Sequence, residues 1–307
     1  MSGYVALREV AAWRDVSARG RIRVTGEDRA RLLHAMTTNH VEQLQPGEGC
    51  YAFFLSAQGR VLADVNLFCR PDHFLLDTEP ETADKVREHL DHFIIADDVT
   101  VESVAAETVA IAVEGPRAAR VLDRVGAPAP AVEYASELWG ERLVVNVSYT
   151  GLPGWLVVAS AGERDDVVRH LEKAGTIAAS QSDFHVVRLE MGRPRYGEDI
   201  GERYLAQETN QLRAIHFQKG CYLGQEIVER VRSRAQIHRV LMPVRIEGTE
   251  APAPGTKLQA EGRDAAEITS SAYSPALGQV VALAYVRSEH ARAGAELELA
   301  GRRAVVR

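Results

Sequence analysis

The sequence predicts an α+β protein made of two related lobes and a small antiparallel barrel or sandwich. The first observation is an internal repeat, because residues 22–33 resemble residues 111–122 at six positions. The second observation is that strand-type and helix-type segments alternate over the first 240 or so residues. The third is a change after Arg239, where short apolar runs alternate with glycine and proline, as in small all-β units.

Each copy of the repeat reads as a short strand, a glycine turn and an amphipathic helix. The turns contain Gly26 and Gly115, and Pro116 suits the first turn of the second helix, where a missing N–H loses no hydrogen bond. Two copies of one such unit predict two related lobes. The alternative is a chance match between two examples of a common pattern.

The remaining elements follow from periodicity and turn residues. In the first lobe we predict strands at 51–55, 61–68 and 74–77, with a turn at Gln58-Gly59, and a helix at 82–92. In the second lobe we predict strands at 143–149 and 155–159 and a helix at 163–173. In the last unit we predict strands at 241–246, 257–259, 267–270, 278–285 and 296–299. The predicted boundaries are 1–105, 106–239 and 240–307, and the two lobes are free to exchange segments.

Composition limits the functional classes. The chain has 307 residues and a formal net charge of −7, which argues against a direct nucleic-acid partner. It contains no run of about 18 apolar residues and no signal-peptide core, so we expect a cytoplasmic location and no membrane partner. Cys50, Cys69 and Cys221 are widely spaced, without a C-x-x-C pair, so no metal site is predicted.

Residues 219–226, Lys-Gly-Cys-Tyr-Leu-Gly-Gln-Glu, contain the most informative motif. Lys219 favours the thiolate of Cys221 over the thiol, and the flanking glycines give access to the sulfur. These features indicate a reactive cysteine at Cys221, with Lys219 as its activating group. A small buried residue in a tight turn is the alternative interpretation.

Arginines follow this motif at Arg230, Arg232, Arg234 and Arg239. A basic cluster in an acidic protein often binds an anionic ligand tail or partner, and we assign that role to Arg230. A solvated strand face is an equally good interpretation.

Two acidic residues, Asp64 and Glu190, lie among apolar residues of a predicted strand and a predicted helix. Strand alternation places Asp64 on the same face as Leu62 and Asn66, where its carboxylate faces either a ligand cavity or solvent. Glu190 lies in an apolar helical run that Gly192 ends. A carboxylate in such a run needs a partner, which is either an arginine or the N–H donors of a flat heterocycle.

Together these segments resemble the folate-binding superfamily of the glycine-cleavage T-protein, and residues 219–226 are similar to the signature of its YgfZ branch. The shared motifs run over nearly the whole chain: Thr25–Asp28, Gly59-Arg60 with Asp64, Tyr149–Gly151, Arg188–Glu190, Tyr196–Ile200, Ile268–Ser271, Ser274-Pro275 and Ala282–Val286. T-proteins lack the cysteine motif, so it favours the YgfZ branch.

The resemblance implies two ferredoxin-like lobes and a barrel, arranged as a cloverleaf around a central cavity that holds tetrahydrofolate or a related reduced folate. It implies that Glu190 hydrogen-bonds the pterin ring and that Tyr149 and Tyr196 line the cavity. Asp64 stands where a T-protein has its acidic catalytic residue. One acid of the Gly-Gly-x-x-Asp-Asp pattern is missing, because Ala63 precedes Asp64.

The resemblance leaves three functions open. The favoured one is a folate-binding protein that supports iron–sulfur cluster assembly or repair in client enzymes, and through them tRNA modification, with Cys221 as thiol or transient ligand. Its partners are then iron–sulfur client or assembly proteins. The alternative is an aminomethyl or other one-carbon transferase, in which Asp64 handles a proton and a lipoyl carrier protein is the partner. The third is a binding protein for which folate is a regulatory ligand.

Overall fold

The computed structural model describes residues 1–234 and 237–307. The chain begins with helix α1 (Gly3–Glu9) and strand β1 (Ala12–Asp15). Strand β1 does not join the sheet of the first lobe. It pairs with strands that begin after residue 105, so the N-terminal segment belongs to the sheet of the second lobe.

The first lobe is a five-stranded antiparallel sheet with two helices. Its strands are β2 (Gly20–Thr25), β3 (Gly49–Leu55), β4 (Val61–Cys69), β5 (Phe74–Thr78) and β6 (Thr100–Ser103), in the order β3-β4-β5-β2-β6. Its helices are α2 (Arg29–Met36) and α3 (Ala83–Phe93).

The second lobe is a six-stranded sheet in the order β11-β1-β7-β10-β9-β8. The strands added here are β7 (Thr108–Glu114), β8 (Ser136–Trp139), β9 (Arg142–Val145), β10 (Gly154–Ser160) and β11 (Ile177–Ala178). The helices are α4 (Ala118–Arg124), α5 (Arg164–Lys173) and α6 (Gln181–Glu190).

The third unit is a closed six-stranded antiparallel barrel, which confirms the predicted α+β class with a C-terminal barrel. Its strands are β12 (Arg239–Ile246), β13 (Lys257–Ala260), β14 (Arg263–Ser274), β15 (Gln279–Arg287), β16 (Glu296–Leu299) and β17 (Arg302–Val306). Helix α7 (Gln225–Arg234) precedes the barrel. Closure leaves no unpaired sheet edge in this unit.

The internal repeat is a structural repeat. Each copy is a strand, a turn at a glycine with positive φ, and a helix; φ is 103° at Gly26 and 133° at Gly115. A Cβ at Gly26 would lie 2.0 Å from the Asp98 carbonyl oxygen, and one at Gly115 would lie 2.8 Å from that of Val10. Both the dihedral angle and the close backbone approach therefore require glycine in each copy.

Two departures from the sequence predictions bear on the candidate site. Strand β9 ends at Val145 instead of residue 149, because the backbone N–H groups of Tyr149 and Thr150 donate to the buried carboxylate of Glu114 and not to a neighbouring strand. Residues 225–234 form a helix, so the solvated strand face that we considered for the basic cluster is wrong.

One apolar core joins the three units. It includes Phe53 of the first sheet, Leu156 of the second and Leu283 of the barrel, all at most 1 % exposed. The inner faces of the two sheets thus pack into a common interior, which fixes the position of the cavity described below. No helix within residues 1–234 or 237–307 is long and apolar enough to cross a membrane.

Candidate functional site

A partly enclosed cavity of about 230 Å³ is lined by residues of both sheets, of α6 and of the segment after α6. Asp64 and Asn66 contribute from β4, and Arg14 contributes from β1. Tyr149 follows β9, at the point where Glu114 holds the backbone. The strand alternation that placed Asp64 and Asn66 on one face therefore leads both side chains to the cavity and not to bulk solvent.

Asp64 is the acid of this cavity and is 8 % exposed. The Tyr51 hydroxyl donates to Asp64 Oδ2 at 2.8 Å, whereas the buried Oδ1 has no partner in the described part of the chain. Burial, and then the negative charge of Glu79, raise the pKa of Asp64 to about 6. Asp64 therefore exchanges its proton close to neutral pH, and the hydrogen-bonding capacity of Oδ1 is unused in the described part of the chain.

Tyr149 is held at the cavity wall by a buried ion pair. Arg19 Nε and Nη2 donate to the two carboxylate oxygens of Asp77 at 2.8 and 3.0 Å, and Arg19 also pairs with Glu79. The Tyr149 hydroxyl donates to Asp77 Oδ2 at 3.0 Å, and the Arg19 guanidinium lies 4.5 Å from the centre of the Tyr149 ring. Burial and the charge of Asp77 raise the pKa of Tyr149 well above its usual range, so it acts as a neutral wall residue.

Six arginines line the cavity: Arg14, Arg19, Arg188, Arg193, Arg195 and Arg213. Four of them have carboxylate partners within 4 Å: Arg19 with Asp77 and Glu79, Arg188 with Glu198 and Asp199, Arg195 with Glu79, Glu81 and Glu198, and Arg213 with Glu133. Arg14 and Arg193 have none among the described residues. The cavity therefore has positive charge to offer an anionic ligand.

Tyr134 contacts one of these arginines, Arg213, through its hydroxyl. Its φ is 65°, which is rare for an aromatic residue, and its side chain is buried. Arg213 Nη1 donates to the Tyr134 hydroxyl at 3.1 Å, while the Arg213 guanidinium lies 4.8 Å from the centre of the Tyr51 ring. An unusual backbone conformation next to a candidate site is typical of a constrained functional wall.

Glu190, at the C-terminal end of α6, is not among the residues that line the cavity. Its Oε1 accepts hydrogen bonds from the hydroxyls of Tyr4 and Ser274, and its Oε2 pairs with Arg8. Of the two partners that the sequence allowed, the structure has the arginine. Both oxygens accept from the protein, so this carboxylate joins α1, α6 and the barrel, whereas the pterin contact that the resemblance implies stays a prediction.

We expect Glu190→Gln to lower the free energy of unfolding by about 2 kcal/mol, because the amide nitrogen replaces the oxygen that accepts from Arg8 and ends this charge-assisted hydrogen bond. Its affinity for tetrahydrofolate should equal that of the wild type within a factor of two. Chemical unfolding and calorimetric titration measure the two quantities. A selective loss of folate affinity at unchanged stability would restore Glu190 to the binding site.

Cys221 is exposed and does not line the cavity. The Lys219 ammonium is buried and donates to the carbonyl oxygens of His34, Thr37 and Asn39. Burial lowers the pKa of Lys219 to about 8. Lys219 thus holds the backbone at the end of α2 and just after it. The sequence had predicted that Lys219 activates Cys221.

The charge of Lys219 acts on the thiol of Cys50, which is partly buried. Burial raises the pKa of Cys50 to about 12, and the Lys219 charge opposes that shift. Within the described ranges, no group of three His, Cys, Asp or Glu side chains is arranged to hold a metal ion.

The last two predicted site residues lie at the edge of the site or outside it. Tyr196 is buried, and its hydroxyl donates to the carbonyl oxygen of Leu62, so it supports strand β4 next to Asp64 but does not line the cavity. Arg230 lies on α7 with 52 % of its side chain exposed and pairs with Glu226 one turn earlier at 2.6 Å. An exposed pair of this spacing mainly stabilises its own helix.

Three arginines at the cavity, Arg14, Arg19 and Arg213, were not singled out by the sequence patterns, whereas Arg188 lies in the shared motif Arg188–Glu190. Strand alternation does place Arg14 on the same face of β1 as Ala12 and Val16. That pattern was a usable signal, because a charged residue between two buried apolar ones needs a partner or a ligand. Arg213 lies in an irregular segment and offered no periodic signal.

The fold and the site define a class of proteins with two α+β lobes, a C-terminal barrel and an acid in the cavity between the lobes. Residues 3–219 match the GCVT N-terminal domain, and residues 239–306 match the glycine cleavage T-protein C-terminal barrel domain. These two matches cover most of the chain. The protein therefore belongs to the family of the glycine cleavage T-protein, as the sequence motifs indicated.

The curated relatives share a modest part of the sequence. Aminomethyltransferases of Chloroherpeton thalassium and Rubrobacter xylanophilus are 27 % and 29 % identical over 94 % and 92 % of this chain, and over 82 % and 78 % of their own lengths. A putative chloroplastic transferase of Arabidopsis thaliana is 27 % identical over 83 % of the chain. The chain spans 60 % of the length of that plant relative.

Among solved structures, the aminomethyltransferase T of the glycine cleavage system from Bartonella henselae has the same fold. Its TM-score is 0.89 at 21 % identity, and the match covers 99 % of this chain and 86 % of that one. This likeness confirms the architecture of two lobes and a barrel. The assignment to the YgfZ branch stays a prediction.

Proposed function

We propose that the protein binds a reduced folate such as tetrahydrofolate in the cavity and transfers an aminomethyl or other one-carbon group to or from it. The observation that carries the proposal is Asp64, a buried acid with a pKa of about 6 and one unpartnered oxygen at the cavity. The names of the bacterial relatives support transfer chemistry over the iron–sulfur function that the cysteine motif favoured.

The residues at the cavity fit a reduced folate. The pterin ring carries N–H donors, and Asp64 Oδ1 is a buried acceptor without a donor in the described part of the chain. The folate tail carries carboxylates, and Arg14 and Arg193 line the same cavity without carboxylate partners among the described residues. When bound, tetrahydrofolate supplies the nitrogen that carries the one-carbon unit.

Asp64 is placed to hold or move a proton at Oδ1. The hydrogen bond from Tyr51 to Oδ2 fixes the carboxylate, so Oδ1 keeps one orientation. A group whose pKa lies near the working pH is an efficient general base or acid. In its ionised form Asp64 also stabilises positive charge that develops nearby, and this effect is large in a cavity of low dielectric constant.

We expect wild-type protein to bind tetrahydrofolate in anaerobic calorimetric titration and to transfer an aminomethyl group from a loaded lipoyl carrier protein. Carrier protein without the aminomethyl group is the control, because any product formed with it does not come from aminomethyl transfer. Failure to bind tetrahydrofolate would overturn the proposal as a whole. Binding without turnover would overturn the transfer and leave a folate-binding protein.

A second candidate function is favoured by the position of Cys221. Its exposed thiol, outside the cavity, is accessible to a partner protein, and the motif around it resembles the YgfZ branch. In this function the partners are iron–sulfur client or assembly proteins. Exposure is a requirement for a thiol that meets another protein's cluster.

Complementation of a strain that lacks the protein separates the two functions. If the iron–sulfur function applies, Cys221→Ser should lose rescue of iron–sulfur enzyme activity. If one-carbon transfer is the whole function, Cys221→Ser should rescue like the wild type and Asp64→Asn should not. Cys69→Ser is the matched control, because Cys69 is buried in the first lobe, far along the chain from the motif.

A further inference from the structure

We propose that Arg14 and Gln181, which line the same cavity, form a subsite that binds a carboxylate group of the cavity's ligand. The inference rests on the proposed function and adds to it the chemical class of the group bound at the wall formed by β1 and α6. Neither the family match nor the motifs assign a role to Arg14 or Gln181.

The fold brings Arg14 to this wall. Arg14 pairs with Ala112 of β7, and Ala112 is completely buried on the inner face of the sheet. The Arg14 guanidinium carbon lies 5.3 Å from the centre of the Phe184 ring on α6. Gln181, three residues before Phe184 and at the start of α6, also lines the cavity.

Arg14 has no ion-pair or hydrogen-bond partner in the part of the chain that the structure describes. Within residues 1–234 and 237–307, no carboxylate oxygen lies within 4 Å of its guanidinium and no hydrogen bond to it is formed. Its two neighbouring arginines at the cavity, Arg19 and Arg195, already share Glu79. Burial lowers the pKa of Arg14; the more distant charge of Glu79 opposes this shift, and the like charges of Arg19 and Arg195 add to it.

Burying half of a cation without a direct ion-pair partner costs free energy, and an anion that enters the cavity and pairs with Arg14 offsets this cost. The planar guanidinium matches a carboxylate through two parallel hydrogen bonds. Phe184 packs against the guanidinium, and the amide of Gln181 adds one more donor at the rim. The geometry therefore favours a planar carboxylate over a small spherical anion.

Two ligands could supply this carboxylate. One is the glutamate tail of the folate, and the other is a small amino acid that donates the one-carbon unit next to the pterin. Three probes distinguish them in calorimetric titration: tetrahydrofolate, the tail-free analogue 6-methyltetrahydropterin, and glycine added to the protein with the pterin analogue bound.

The test variant is Arg14→Gln, and the matched control is Arg169→Gln, which also removes one positive charge but lies on α5 with 57 % of its side chain exposed. If the tail supplies the carboxylate, Arg14→Gln should bind tetrahydrofolate at least tenfold more weakly and 6-methyltetrahydropterin as well as the wild type does. If a small amino acid supplies it, glycine affinity should fall tenfold while tetrahydrofolate affinity is unchanged. Arg169→Gln should change neither.

Equal losses for tetrahydrofolate and 6-methyltetrahydropterin, or no change for any probe, would overturn the subsite. Arg14→Lys keeps the charge without the paired donors and should give an intermediate loss; it replaces Arg14→Gln if that variant does not fold. If wild type binds neither tetrahydrofolate nor the pterin analogue, the proposed function fails. Glycine added alone then decides the subsite: a loss with Arg14→Gln supports it, and absent wild-type binding overturns it.

Discussion

Asp64→Asn is expected to be more stable than the wild type above about pH 7 and to lose this advantage below pH 4. The folded protein raises the pKa of Asp64 from 3.8 to about 6, chiefly by burial, so the folded state binds the proton more tightly than the unfolded state does. The stability that protonated Asp64 contributes to the wild type is therefore fully present below about pH 4, and it is lost as the pH rises through about 6. At 1.36 kcal/mol per pKa unit, the loss reaches at most about 3 kcal/mol.

Urea unfolding of wild type and Asp64→Asn between pH 4 and pH 8 measures this difference. The asparagine carbonyl still accepts from Tyr51, and its amide carries no charge, so the stability of the variant should change less over this range. Asp84→Asn is the control, because the Asp84 side chain is 87 % exposed. Parallel pH profiles for wild type and Asp64→Asn would show that the carboxyl of Asp64 has an ordinary pKa.

The same variant should lose aminomethyl transfer by about 10²- to 10⁴-fold in kcat, the range for removal of a general acid or base. Its affinity for tetrahydrofolate should change far less, because the arginines and Tyr149 remain. For the wild type, kcat/KM should vary with pH through an ionisation near 6, and this ionisation should be absent from the residual activity of Asp64→Asn. Equal kcat values for the two proteins would remove Asp64 from the reaction.

Local patterns were enough to predict two α+β lobes and an all-β unit, whereas Asp64 and Tyr149 were assigned to the site by the family resemblance. The repeated strand–glycine–helix unit recurs because Gly26 and Gly115 each meet a backbone carbonyl that excludes a side chain. Asp64 was placed by the two-residue period of its strand, which any sheet preserves. That period could not choose between cavity and solvent, because five of the six strands of the opposing sheet come from residues beyond position 105.

The positions that the sequence did not decide depend on distant partners. Glu190 is fixed by Tyr4, 186 residues away, and Lys219 by Thr37, 182 residues away. Neither contact leaves a trace in the periodicity around Glu190 or Lys219. A motif such as residues 219–226 therefore identifies relatives, whereas the contact partners of its side chains follow from the tertiary structure.

Arg19 shows how strongly such a distant contact supports the cavity. Its partners Asp77 and Glu79 lie about 60 residues away in the chain, and the Asp77 side chain is completely buried. Asp77 also accepts hydrogen bonds from Asn66 and Tyr149. The ion pair therefore connects the start of β2 to β4, to β5 and to the turn that carries Tyr149, on both sides of the cavity.

We expect Arg19→Met to lower the free energy of unfolding at pH 8 by about 3–5 kcal/mol, because removing one partner of a buried pair leaves a buried charge without compensation. Methionine fills much of the volume of the arginine stem, so the loss reports mainly on the charge. In the variant, Glu79 loses the Arg19 charge that lowers its pKa and should take up a proton more readily, so the deficit should shrink as the pH falls from 8 to 5.

Urea unfolding of wild type, Arg19→Met and Arg31→Met at both pH values tests this expectation. Arg31 also pairs with two aspartates, Asp28 and Asp97, but its side chain is 62 % exposed, so its replacement should leave stability close to that of the wild type. Adding Asp77→Asn to Arg19→Met should recover part of the deficit, because the uncompensated charge is then gone. A deficit as small as that of Arg31→Met would mean that Asp77 is stabilised by Asn66 and Tyr149 alone, and that the wall of the cavity stands without the ion pair.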